Sequence, residues 1–172
     1  MTPLAADLLV LLRRDLRCFI REIEAFPDDA ALWRTVPGIT NSAGNLALHV
    51  AGNLRHFVGA VLGGTGHLRD RATEFARREG TRAEVAALLA LAAAEVEAGL
   101  EALSAEAQDR PFPQELQGHR PPTGRFLLHL ATHLAFHLGQ AGYLRRALTG
   151  EAGATGGMGI APPTPQAGGI VN

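Results

Sequence analysis

The chain of 172 residues predicts an all-α fold, a four-helix bundle, on three observations. Four segments of roughly 21 to 26 residues carry apolar residues at helical spacing. The connections between them are rich in Gly and Pro and offer no alternating, β-branched run. The length suits one domain with a real core.

The first helix is expected from Pro3 to Ala25, with Leu8, Leu12, Leu16, Phe19, Ile20 and Ile23 on one stripe. Pro3 suits a first turn, where its missing N–H costs nothing. Cys18 projects roughly opposite that stripe and reads as a surface thiol or a subunit contact. Asp28 to Ile39, with Trp33 and Pro37-Gly38, reads as a loop or short helical turn; Trp33 is expected in the core or a pocket wall.

The second helix runs from Ser42 to Leu62, capped by Asn41 or Ser42, with Leu46, His49, Val50, Asn53, Phe57 and Val61 on its stripe. Gly63-Gly64-Thr65-Gly66 breaks the chain after it. The third spans Arg82 to Ala107, where Thr81 and Glu84 form a capping box. Its inner face holds Val85, Leu88, Leu89, Ala92, Val96, Leu100 and Leu103. Arg110 to Pro122 carries four prolines and is no regular element.

The fourth helix runs from Thr123 to Leu148 and stops at Gly150. Phe126, Leu130, His133, His137, Ala141, Leu144 and Leu148 form its stripe. Tyr143 is expected in the core or a pocket wall, and Arg125, Arg145 and Arg146 in solvent unless one turns into a pocket to hold an anion. Residues 1–150 thus form the helical body. Residues 151–172, rich in Gly, Ala and Pro, form a flexible tail, in which Ile160, Ile170 and Val171 could dock back.

Composition excludes several classes. A net charge of −1 leaves no basic face for nucleic acid. All sixteen basic residues are Arg, which with the heavy Ala, Gly and Leu use reflects G+C-rich coding bias. A single cysteine excludes an internal disulfide and suits a reducing compartment. No stretch approaches a membrane span, and Met1–Arg14 lacks the features of a signal peptide, so a cytoplasmic protein is expected.

The chemistry concentrates in His129-Leu-Ala-Thr-His133-Leu-Ala-Phe-His137-Leu-Gly-Gln140. His133 and His137 are one turn apart, about 40° in projection. If their stripe faces that of His49, three imidazoles converge, as metal sites in bundle cores do. Three neutral imidazoles suit Zn²⁺, Ni²⁺ or Fe²⁺ and leave a position for water or substrate. From spacing alone the alternative is a set of satisfied core histidines. His129 cannot join as a third ligand from the same helix without strain, and reads as a supporting or cavity-lining residue.

Asn53 and His56 follow His49 by four and seven residues. Either could line the same cavity, and His56 reads as a proton shuttle, a substrate contact or simply a half-exposed helix residue. Gln140 reads as a support or packing residue one turn beyond His137. His67 and His119 fall in loops and are expected to be solvated.

At these residues the chain resembles the DinB/YfiT-like superfamily of metalloenzymes. The likeness lies in Asn41-Ser42 leading the helix with Leu46-Ala-Leu-His49, and in His133-x-x-x-His137-Leu138-Gly139-Gln140 followed by Leu144-Arg145. It covers residues 3 to 149. The resemblance implies an up-down-down-up four-helix bundle, a homodimer, and a divalent metal held by His49, His133 and His137. Some relatives are thiol-dependent transferases or isomerases using bacillithiol or mycothiol, so a metal-dependent thiol transferase or hydrolase acting on a small molecule is expected. The rival is a non-catalytic metal-binding or interaction bundle. Arg69-Asp-Arg-x-x-Glu74-Phe75 resembles one subgroup; its charges are expected to cap a helix or form a solvated ion-pair cluster.

Overall fold

The computed structural model describes residues 1–153 and 155, and every regular element among them is helical. Two isolated bridges, Pro111 to Pro122 and Leu116 to His119, close the proline-rich loop.

Helix α1, Pro3–Glu24, starts where the Thr2 hydroxyl accepts from the Ala5 N–H, with Pro3 in the first turn. Its buried arc is wider than the predicted stripe and takes in Asp15, Cys18 and Glu22, because α1 packs against two helices at once. Cys18 is therefore no surface thiol. It is 4% exposed, and Arg21 Nη2 donates to its Sγ at 3.0 Å. The half-loop that follows holds α2, Asp29–Leu32, capped by Asp28. Trp33 is buried and its Nε1 donates to the Gly80 carbonyl at 2.7 Å.

Helix α3, Ala43–Leu54, opens on a capping box between Ser42 and Asn45. The helix reaches Leu62 as expected, but from Arg55 onward it is π-helical, a form that recurs at functional sites. There α5 comes unusually close: a Cβ on Gly99 would stand 2.7 Å from the Val58 carbonyl oxygen. Arg55 grips Glu95 of α5 through Nε and Nη2 on the same side.

After the glycine break lies α4, Arg71–Ala76, a short helix outside the four expected long ones. Asp70 caps it by accepting from the Thr73 N–H at 3.0 Å. Helix α5, Arg82–Glu101, has the expected Thr81–Glu84 capping box. It stops short of the predicted Ala107, and α6, Ala105–Asp109, restarts the chain. The reason is Ser104, whose hydroxyl accepts from the Ala107 N–H and begins a new helix. Of the predicted inner face, Leu88 is only partly buried and the other six residues are enclosed.

Helix α7, Thr123–Thr149, ends at Gly150 with φ +74°, the left-handed position that glycine takes without strain. Leu127, Leu130, Leu134, Leu138 and Ala141 define its core face, and His133 and His137 sit half-buried at its edge. Arg145 departs furthest from expectation. It is 1% exposed, and its Nε donates to Glu22 Oε2 on α1 at 2.6 Å. A counter-charge distant in sequence makes that burial tolerable. Arg125 is exposed, and Arg146 stacks over Tyr143, itself 75% exposed and outside the core.

Helix α1 packs against α5 and α7, and α3 packs against the same two. No helix among the described residues is long and apolar enough to cross a membrane. Just past Gly150, the Gly153 carbonyl accepts from Arg145 and the Thr155 hydroxyl donates to Glu22. Ile160, Ile170 and Val171, with the rest of the expected tail, lie outside the described residues.

Candidate metal centre

The α3–α7 packing brings three histidines together from two helices. His49 comes from α3 and is 6% exposed; His133 and His137 come from successive turns of α7. His133 Nε2 lies 3.2 Å from His49 Nε2 and 3.1 Å from His137 Nε2. Each residue offers one ligand atom, and the three atoms lie within 4.8 Å of one another. Two nitrogens on one tetrahedral ion at ~2.0–2.1 Å stand about 3.3 Å apart, so the spacing fits a shared cation.

Proton accounting supports the same fit. His49 Nδ1 donates to Glu74 Oε2 at 3.0 Å, and His137 Nδ1 donates to Gln140 Oε1 at 2.7 Å. Each ring therefore turns an Nε2 lone pair toward His133. His133 Nε2 carries at most one proton and can satisfy only one of them. Protonating the group instead is disfavoured. Burial first, then the neighbouring His137 and His49, push His133 down to about 4, and burial also lowers His137. With burial keeping His133 and His137 neutral and three imidazole nitrogens converging, the site offers the donor set a divalent ion requires.

Glu74 holds His49 from behind. It is 7% exposed and takes two further bonds from Arg69, Nε to Oε1 at 2.7 Å and Nη2 to Oε2 at 2.8 Å. Burial alone would raise its carboxyl; the bonds from Arg69 and His49 outweigh that and hold it below the usual range. Gly52 makes the arrangement possible, since a Cβ there would overlap Glu74 Oε1. The expected solvated cluster is thus corrected: Asp70 does cap a helix, but Arg69 and Glu74 form an enclosed pair beneath a histidine. The sequence signal was available in an acidic residue set beside Phe75, whose ring packs 4.7 Å from that of His49. Only the fold could connect the two.

The other expected residues distribute unevenly. Gln140 bonds His137 and lines an apolar groove of about 430 Å³ with Leu46 and Tyr143. A second hollow of about 580 Å³ is lined by Asn53 and His129 among others. The His129 ring lies 5.9 Å from that of His133 and stacks on Phe126. His56 is not brought in: its Nε2 meets Gln114 Oε1 at 2.9 Å and its ring packs on Phe57. His119 is exposed. His67 is not solvated as expected; it is partly buried, its Nε2 is enclosed without a partner, and burial lowers its pKa.

The meeting of His49 with His133 and His137 is what the family resemblance implies for a metal site. A search of the curated proteins finds no match to the chain. The sequence model of the DinB superfamily matches residues 10–141, a span that includes all three histidines, and the chain belongs to that superfamily.

Proposed function

We propose that this chain is a metal-dependent enzyme built on an up-down-down-up four-helix bundle, with His49, His133 and His137 as its metal ligands. The single observation that carries the reading is the convergence of three Nε2 atoms, two of them presenting lone pairs that the third cannot both satisfy. Cross-helix contacts support the topology. Leu4 meets Gly124 at one end of α1 and Glu22 meets Arg145 at the other, so α1 and α7 run together. Arg82 bonds Phe26 and Arg13 bonds Glu97, so α5 runs against α1. Asn45 meets Arg77 just before α5, and Arg55 meets Glu95 late in it, so α3 runs with α5.

A divalent ion in this site, zinc or nickel first and iron next, supplies Lewis acidity and lowers the pKa of a bound water or thiol. The protein's own part is orientation. Glu74 fixes the His49 tautomer and Gln140 that of His137. Arg69 keeps Glu74 ionised, and Gly52 leaves room for its carboxylate. Two hollows lie near the histidines, one lined by Gln140, the contact of His137, and the other by His129, whose ring neighbours His133. The reaction class we favour is thiol transfer, with hydrolysis next, on a small molecule in the cytoplasm by a homodimer.

Metal analysis of protein purified without an affinity tag tests the site. About one equivalent per chain is expected, lost in His133→Ala. A content below about a tenth of an equivalent, with His133→Ala as stable as the parent, overturns the reading. A transfer screen with bacillithiol, mycothiol and glutathione then tests the reaction.

A further inference from the structure

We propose that the 580 Å³ cavity beside the three histidines is a subsite for the anionic head of a small substrate. Arg71 and Arg125 would take the anion, and Asn53 an N–H or O–H donor next to it. The identification of the substrate end rests on the metal reading above; the anion site itself does not.

Position comes first. Asn53 is one turn beyond His49 on α3, and His129 one turn before His133 on α7, so both elements of the metal centre continue directly into this wall. Phe57, Phe126 and Leu130 supply its apolar surface. The volume suits a small molecule.

Charge comes second. Three guanidiniums, Arg69, Arg71 and Arg125, line the cavity against one carboxylate, Glu115. Arg69 is committed to Glu74. Arg71 only lies over the Phe75 ring at 5.0 Å, and Arg125 has no hydrogen bond or ion pair among the described residues. Two exposed guanidiniums on the lining of one hollow, each a bidentate fork, can take a carboxylate or phosphate.

The third observation is independent of charge. Asn53 is 8% exposed, lines the cavity, and its Oδ1 is enclosed with no donor. Enclosed polar atoms are almost always paired. A rotation of the Asn53 side chain that brings this acceptor into the hollow would pair it with a donor next to an anion, as in an acylamino acid or a hydroxyalkyl phosphate.

Calorimetric titration of the zinc-loaded protein with three probes tests this: N-acetyl-L-alanine, its neutral methylamide, and glycerol 3-phosphate. At least one anion should bind about tenfold or more tightly than the methylamide, as one lost charged bond implies, and the tighter of the two identifies the head. Arg71→Ala/Arg125→Ala should abolish the preference with zinc content unchanged. Asn53→Ala should weaken the preferred anion and leave the charge preference in place. Binding of neither anion more tightly than the methylamide, binding of none, or a preference that survives the double substitution overturns the proposal. Repeating the titration on His133→Ala separates the two readings: a charge preference retained without metal supports the subsite whatever becomes of the metal assignment.

Discussion

Glu74 Oε2 accepts from His49 Nδ1 at 3.0 Å, which turns the opposite nitrogen of that ring toward His133. A carboxylate on a six-residue helix thus decides which face of a histidine on another helix is available. The rigid backing is Arg69, and the space is Gly52.

Glu74→Gln is expected to weaken zinc binding by about 10–100-fold without unfolding the protein, the usual effect of losing the partner behind a ligating histidine. Gly52→Ala should act in the same direction by displacing the carboxylate. Competition against a chromogenic chelator measures both. Parental affinity in Glu74→Gln would show that the carboxylate does not orient the ligand.

Zinc should raise the melting temperature of the parent in a concentration-dependent manner, because an ion that binds only the folded state stabilises it by mass action. The effect should vanish in His133→Ala, whose Nε2 lies between the other two. Differential scanning calorimetry with and without a chelator reads it directly.

The metal-free protein should lose stability on mild acidification. His133 has its folded pKa lowered from 6.5 to about 4, so the unfolded chain binds the extra proton between those values. Stability is then full above about pH 6.5 and declines as pH falls toward about 4; His137 acts in the same direction. Denaturant melts across that window should show a shallower decline in His133→Ala.

Glu22→Ala should destabilise the fold by about 3 kcal/mol, since it leaves the buried Arg145 guanidinium with only the exposed Glu151 carboxylate, 3.8 Å away. Glu22→Leu/Arg145→Met should recover most of the loss, because a similar apolar volume replaces both charges. Urea titrations of the three proteins check the order.

Local signals were read well from the chain. Pro3, Ser42, Thr81 and Gly150 mark helix ends because capping depends on a few adjacent residues. Apolar periodicity located the four long helices, and H-x-x-x-H spacing placed His133 and His137 on one edge of α7. Periodicity was less able to set the width of a buried face. Cys18 and Arg145 lie outside the predicted stripes yet are enclosed, because α1 and α7 each pack against two neighbours.

The sequence by itself determined the helical class, the ends of the long helices to within about two turns, and the placing of His133 and His137 one turn apart. Each follows from spacing along a helix, which is fixed by 3.6 residues per turn. Only the tertiary structure decided what stands behind and beside them. Glu74 beneath His49, Arg145 on Glu22, and Arg71 and Arg125 around Asn53 join residues from different helices and loops. No local period links such residues; the packing of α3 and α7 sets their distances.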